Sequence, residues 1–385
     1  MASSAGAAVV VIGGGVTGLS AAWWLGRAGI DALVIEKGIV GWEASGRNGG
    51  GCSHHFSPLF KEEQRLWPQM DDLLGYPTEF QGHRIRLIGD NQQMAFVERA
   101  RANAARQGFK SEMLDSAQLK ELAPLVDAQS FRAAYYHFGG HANPQRTVQA
   151  YAWAIQDQGG RILQHTCATG FRTRGGKVVA VETDRGIFGC EAVVIAAGPQ
   201  TERVAAMLEV AVPTVAARAE IVVTGAVPRM KIGGVDGGGL YGRQTLRGNL
   251  VYGGGPHEWL PVLGMTETPR ATTPLIQNIA LRIARLFPGA RHARVLRSWS
   301  GVVENTPDGR PIIDRLRAPD NVVVATLSSV GFGLSPASGR AIAELVEHGQ
   351  CRFADLSTLR LSRFSNLAAD WRRRQGWLPP DSGEA

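Results

Sequence analysis

A run of six apolar residues, Ala7 to Ile12, is followed at once by Gly13, Gly14, Gly15, Val16, Thr17 and Gly18, and then by a helical stretch, Leu19 to Ala28, closed by Gly29. A second apolar run, Ala32 to Ile35, ends in Glu36, 21 residues after Gly15. A continuous β-branched run reads as a strand covered on both faces, as in a parallel sheet. G-x-G-x-x-G between such a strand and a helix, with an acid at the end of the next strand, predicts a dinucleotide-binding unit. Gly13 allows the tight turn, Gly15 lets the backbone approach a pyrophosphate, and Gly18 lets the helix pack closely on the strand. The helix N-terminus offers N–H groups and a positive dipole end to the phosphates, and Glu36 accepts hydrogen bonds from ribose hydroxyls.

Such a unit is short beside a chain of 385 residues, and that length predicts two domains with a sizeable core. With 44% hydrophobic and 19% charged residues, disorder, collagen and a disulfide miniprotein are excluded. The formal charge of +7 suits anionic ligands or an acidic partner. It is scattered, the densest cluster being Arg372 to Arg374, so no nucleic-acid surface is expected. Cys52, Cys167, Cys190 and Cys351 form no C-x-x-C pair, so neither a metal site nor a dithiol centre is expected, and a reduced cytoplasmic setting fits. Residues 1–6 have no basic n-region, and the Ala7 to Ile12 run is too short for a signal peptide or a membrane span.

The fingerprint alone does not separate NAD from FAD. A second glycine-rich segment, Gly41 to Gly51, arrives just after the acid, and within it Ala44, Ser45, Gly46, Arg47, Asn48, Gly49 and Gly50 resemble the stretch along the flavin in the D-amino-acid oxidase superfamily of FAD enzymes. That superfamily includes glycine oxidase, sarcosine oxidase and the flavin (beta) subunits of proline, hydroxyproline and opine dehydrogenases. Four further motifs carry the resemblance, in order. Gly140 to Pro144 looks like the helix entry into the FAD domain, and Val193 to Pro199 like the strand whose end touches the pyrophosphate. Trp299 to Asp308 is similar to the W-x-G-x-x-x-x-T-P-D signature, and Gly331 to Pro336 to the segment before the last helix.

The resemblance implies an α/β fold: a discontinuous Rossmann-like FAD-binding domain (1–55, 143–210 and 299–364), an α+β substrate domain with a large mixed or antiparallel sheet (56–142 and 211–298), and a tail, 365–385. It implies cofactor contacts at Gly13, Gly15, Val16, Thr17 and Gly18, at Glu36 and Lys37, and at Ala44, Ser45, Arg47, Asn48, Gly49 and Gly50. It adds Ala168, Ala197 and Gly198, and then Gly331, Phe332, Gly333 and Leu334. FAD is expected to be noncovalent, because the histidine that carries covalent FMN in heterotetrameric sarcosine oxidases aligns with Pro144. By physical rule, Asn143 and Pro144 start a helix running to about Gln158, and Ser335 and Pro336 start one at Ala337; the resemblance implies that the N–H groups of the latter face the flavin N1 and C2 carbonyl edge.

In this superfamily the cofactor takes a hydride from the carbon next to a neutral amine nitrogen, and an imine then hydrolyses. Two arginines that hold the substrate carboxylate in glycine oxidases align with Val303 and Ser329, so both anchors are missing. Tyr241 and Arg243, at period two on a strand, would share one face and are the substitutes. His54 and His55 follow the flavin-side glycines and reach towards substrate, and Tyr252 and Glu304 are weighed as lining residues against a core tyrosine and a loop carboxylate. Cys52 reads as packing. Trp371 and Trp377 mark either a partner surface or a solvated tail. The lysine that draws in oxygen in monomeric sarcosine oxidases belongs between Gly248 and Gly255; none is there and none follows Lys231. The resemblance therefore implies a dehydrogenase acting on a small-molecule amine or amino acid, with partner subunits carrying FMN, a second FAD or Fe–S. The rival readings are a glycine or D-amino-acid oxidase using O2, a flavoprotein acting on tRNA, and a flavin-bearing structural subunit.

Overall fold

The computed structural model describes residues 6–260 and 270–377. The end of the expected tail, 378–385, residues 1–5, and 261–269 of the expected second sheet-rich segment lie outside the described residues.

Val9–Ile12 is the centre of a six-stranded sheet whose order is Ile312–Arg315, Val322–Thr326, Ala192–Ile195, Val9–Ile12, Ala32–Ile35, Arg161–Leu163. Every neighbouring pair is parallel except the first, which is antiparallel. The uninterrupted apolar run has a direct cause. Val9 and Val11 point into a core shared with the helices Val16–Arg27, Pro144–Asp157 and Gly331–His348, while Val10 and Ile12 point into a second core under the three-stranded sheet Ala168–Arg174, Lys177–Thr183, Gly186–Gly189. With both faces covered, each of these side chains contributes roughly 1.5–3 kcal/mol of burial.

Two other sheets build a separate core. Val215–Ala226 is the long strand of an antiparallel sheet that also contains Leu240–Gln244, Asn249–Gly254, Glu258–Leu260 and Val295–Asn305. A four-stranded sheet has the order Val235–Asp236, Gln81–Ile88, Ala133–His141, Ser111–Leu114. The helix Thr273–Leu286 and these sheets enclose one apolar core containing Ile85, Leu87, Tyr252 and Phe287. A bridge between Gly51 and His141 ties the glycine-rich loop to the four-stranded sheet, which brings the two halves of the molecule together at that loop.

Asn143 caps its helix as expected, its side chain accepting from the Arg146 N–H, with Pro144 in the first turn. The last helix departs from expectation. It begins at Gly331, not Ala337, with Pro336 inside it and Ser335 buried, its carbonyl accepting from the Ser20 hydroxyl. Pro336 is the sixth residue of this helix, past the first turn, so the Phe332 carbonyl is left without its i→i−4 donor. The tail is not a solvated segment as far as Trp377: Trp377 stacks on Trp259 with centroids 4.6 Å apart, Trp371 meets Trp377 edge-on, and Arg372 pairs with Glu202. Among the described residues no helix is long and apolar enough to cross a membrane.

Candidate functional site

The first of two adjoining cavities follows the glycine fingerprint. Its walls include Gly13, Gly15, Val16 and Thr17, then Glu36 and Lys37, then Ala44, Ser45 and Asn48, with Ala168, Ala197, Gly198, Gly331 and Phe332 closing it. The three fingerprint glycines serve different purposes. A Cβ on Gly13, whose φ is +117°, would stand 2.3 Å from the Ala196 carbonyl oxygen, and one on Gly18 would stand 2.1 Å from that of Gly13. Both are packing glycines, and Gly18 is absent from the cavity wall. A Cβ on Gly15 would meet only the Ser45 hydroxyl, at 3.1 Å, so the space it leaves belongs to the cavity.

Polar groups around this space are arranged by backbone contacts. The Glu36 carboxylate accepts from the N–H groups of Gly14 and Gly38, both at 2.7 Å. Burial pushes its pKa up, and these N–H groups oppose the shift. The Val16 N–H donates to the Ser45 hydroxyl at 2.9 Å, which places a second polar side chain at the helix N-terminus. Lys37 faces Glu43 at 3.7 Å. Asn48 shapes the turn: it donates to the carbonyls of Ala44 and Ser45 and accepts from the Gly50 N–H. Arg47 lines neither cavity. It donates to the Ser300 carbonyl and lies over Trp42, so it ties its helical turn to the W-x-G strand rather than presenting a cation to a ligand.

Glu304, Thr166, Cys167 and Thr326 also line the first cavity. Glu304 is no loop carboxylate: it is buried at the end of Val295–Asn305 and accepts from the Thr326 hydroxyl and the Leu327 N–H, while burial raises its pKa. Ser329 lines both cavities at φ +66°, in the left-handed region, next to Ser328 at φ +47°. Its hydroxyl shares its one hydrogen between the Glu304 carbonyl and Asn305 Oδ1, each at 3.1 Å.

The second cavity, about 840 Å³, shares Asn48, Ser329 and Phe332 with the first. Gly49, Gly50, Gly333 and Leu334 stand at that junction side, and His54, His55 and Tyr241 are in its wall. His54 has a fixed orientation: its Nδ1 is 2.7 Å from Glu63 Oε1 and its backbone N–H donates to Oε2, while the Glu63 side chain is wholly buried. The ring lies against Gly333, where a Cβ would stand 2.3 Å from His54 Cε1. His55 is buried between Phe60 and His137. Desolvation, helped by the nearby Arg86 and His54, lowers its pKa to about 4, so the ring is neutral at ordinary pH. Burial raises the Tyr241 phenol to about 12, and its oxygen is 3.2 Å from His257 Nε2.

Two expected substrate residues are elsewhere. Tyr252 is fully buried, donates its hydroxyl to the Val235 carbonyl at 2.9 Å and packs on Phe287, which makes it core. Arg243 lines neither cavity; it is buried behind the glycine loop and donates to the Gly49 carbonyl at 3.0 Å. Desolvation lowers its pKa to about 10, which leaves it charged at neutral pH. Tyr241 and Arg243 do lie two apart on one strand, but only the tyrosine reaches the cavity. Sequence reasoning had no strand-face argument for Arg84 and Arg86 of Gln81–Ile88, which both line the cavity. The same period-two pattern would have found them.

A narrow backbone-lined cleft opening into a wider chamber of polar and aromatic side chains suits a cofactor with a nucleotide end and a reactive end. The family described as FAD dependent oxidoreductase (DAO) matches residues 8–345. The chain is 27% identical to sarcosine oxidase subunit beta of Rhizobium meliloti (strain 1021), over 96% of this chain and 91% of that protein. It is also 27% identical to glycine oxidase of Geobacillus kaustophilus, over 92% and 96% of the two chains. The structure of L-proline dehydrogenase from P. horikoshii superposes with a TM-score of 0.83 at 25% identity, covering 97% of this chain and 99% of that one. The chain belongs to the FAD-dependent oxidoreductase family, its fold is the mixed α/β fold of that family, and its cofactor is FAD.

Proposed function

We propose, with that membership as premise, that the protein oxidises the C–N bond of an amino acid or secondary amine, of the sarcosine, proline, hydroxyproline or opine kind, as a dehydrogenase subunit. The observation that carries this reading is the junction of the two cavities at Asn48, Ser329 and Phe332, which lets one bound cofactor have its nucleotide in the first and its reactive ring facing the second. FAD when bound there supplies the acceptor for the hydride that leaves the carbon next to nitrogen.

The residues of the chain do the rest. Gly13 to Thr17, Glu36, Lys37, Ser45 and Asn48 hold the nucleotide end, and Gly331 to Leu334 bring the first turn of the last helix to the junction, where its N–H groups favour developing negative charge. A substrate ammonium must lose a proton before the C–H bond can deliver hydride. His54, with Nδ1 engaged by Glu63, has Nε2 as the ring position left to take that proton. Loss of hydride from carbon and of the second proton from nitrogen gives the imine, which water converts to a carbonyl compound and an amine.

The dehydrogenase preference rests on the absence of lysine between Gly248 and Gly255 and after Lys231. The subunit role rests on the beta-subunit identity of the Rhizobium relative, and a reduced cytoplasmic setting on four cysteines that are all free thiols. The test is anaerobic addition of amino acids, N-methyl amino acids, prolines and opines to the yellow holoprotein, followed by stopped-flow mixing with air or with a dye. Bleaching by one class and slow reoxidation in air are expected. No bleaching by any amine overturns the reading, and rapid reoxidation with stoichiometric peroxide makes the protein an oxidase. Acid precipitation is expected to leave all yellow colour in the supernatant, since Pro144 stands where the FMN-linking histidine would be.

A further inference from the structure

The second cavity contains a cation whose partner is missing. Arg84 and Arg86 lie two apart on Gln81–Ile88, and both reach the cavity. Arg84 is committed: it pairs with Asp236 and donates to the carbonyls of Gly140 and Gly242. Arg86 is half-buried and its side chain, among the described residues, makes no ion pair or hydrogen bond; its guanidinium lies over the Phe96 ring, 5.1 Å from the centroid. Asp236 is the sole acid among the described residues of the cavity wall, and Arg84 already occupies it. A guanidinium kept partly out of water without an anion is costly, and a bound anion would offset that cost.

His55 stands behind the same wall. His55 is 8% exposed, and its Nε2 has no hydrogen-bond partner, while its Nδ1 is 3.3 Å from the Ser53 hydroxyl. With Ser53 donating to Nδ1, the neutral ring carries its hydrogen on Nε2. The nearby Arg86 is one of the causes that keep the ring neutral. Because that Nε2 is itself shut off from solvent, the group of this wall left to bind an anion is the Arg86 guanidinium, which calls for an acceptor-only group with negative charge.

Position says where on the substrate that group lies. Gly51 backs on Arg84, whose Nη1 is 3.6 Å from the place of a Gly51 Cβ. Arg86 is two residues further along the strand, about 7 Å away. Phe56, Phe96 and Val97 line the same chamber and provide apolar wall for methylene groups.

We propose that Arg86 forms an anion subsite for a carboxylate at the end of an alkyl chain on the amine substrate, several bonds from the carbon that is oxidised. This rests on the amine-oxidation reading and narrows it: the preferred amines are long ω-carboxylates rather than glycine or sarcosine.

Two measurements on the FAD-loaded protein test it. Titration with pentanoate, read as a perturbation of flavin absorbance, is expected to give a Kd that rises roughly 10- to 100-fold in Arg86→Ala. Arg86→Lys restores part of the loss, and Arg374→Ala in the tail leaves Kd unchanged. Arg86→Gln and a melting curve cover the event that the alanine variant folds poorly. In turnover, KM across N-methyl ω-amino acids falls as the chain lengthens in the wild type, and that trend flattens in the Arg86 variants with kcat kept. Equal pentanoate Kd values for wild type and both neutral variants overturn the subsite. Amines that bleach the flavin with no Arg86 dependence sink the subsite alone. If pentanoate binding depends on Arg86 while no amine bleaches the flavin, the subsite stands and the amine reading fails.

Discussion

The two cavities meet at Phe332 and are built by opposite means. The first takes its polar surface from backbone N–H groups and short side chains placed by residues close together in the chain: Gly13 and Gly15 to Thr17, Glu36 and Lys37, then Ala44, Ser45 and Asn48. The second takes its polar surface from long side chains on separate elements, with His54 and His55 from the loop after the glycines, Arg84 and Arg86 from one sheet, and Tyr241 from another. Recognition by backbone tolerates changes in side chains but no added Cβ at the point of contact. Recognition by side chains depends on which residues converge, and is open to change.

The sharpest way to break this contrast is Gly15→Val. The added branches enter the space that Gly15 leaves open beside Ser45, so the purified protein is expected to be colourless, judged by the ratio of flavin to protein absorbance. A fully loaded variant would mean that the first cavity does not hold the nucleotide.

The second test is one of pH and belongs to the other cavity. The folded-state pKa of His55 is depressed from 6.5 to about 4, so between those values the unfolded chain takes up a proton that the folded chain refuses. Stability is therefore present above pH 6.5 and lost as pH falls through that range, by about 3 kcal/mol for this residue. Burial depresses His137 and His141 in the same direction. Melting temperatures measured from neutral pH downwards should fall, and His55→Asn should make the fall shallower. An unchanged slope would remove His55 from the buried wall.

Arg243 separates support from contact. Arg243→Met keeps most of the volume but leaves the Gly49 carbonyl without its donor, and it is expected to cost about 1–3 kcal/mol of stability and weaken FAD retention. The KM of a carboxylate substrate should move little. A large rise in KM at unchanged FAD content would restore Arg243 as an anchor.

The smallest effect lies at the junction. Ser329 holds a left-handed φ of +66° that costs a non-glycine residue roughly 1–2 kcal/mol, and its hydroxyl shares one hydrogen between two acceptors in return. Ser329→Ala keeps the strain and loses that shared bond, so a loss of about 1 kcal/mol is expected in denaturant melts. Ser329→Gly relieves the strain and should be close to neutral. If alanine and glycine behave alike, the backbone there is not strained.

What the amino-acid order determined by itself lies within short stretches of chain. The strand, glycine turn, helix and terminal acid over Val9 to Glu36, the Asn143 cap with Pro144, and the second glycine run all depend on residues a few positions apart, whose periodicity and φ requirements show in the letters. The family resemblance reached the cofactor for the same reason, because backbone-cradled nucleotides need fixed spacing. Tertiary structure alone decided the rest. Ser335 and Pro336 have the local form of a helix start, yet packing of Ser20 and Trp67 onto the Ser335 and Gly333 carbonyls accompanies a helix already running from Gly331. Tyr241, Arg243 and Tyr252 are alike as polar residues on adjacent strands, but only the first reaches the chamber: Tyr252 pairs with Gly242 and so takes the opposite face, while Arg243, on the face of Tyr241, is taken up by the Gly49 carbonyl. Arg86 acquires a role because Arg84 is consumed by Asp236, a residue 152 positions away. Local physics sets the backbone's turns, but the competition among side chains for partners is settled only where distant segments meet.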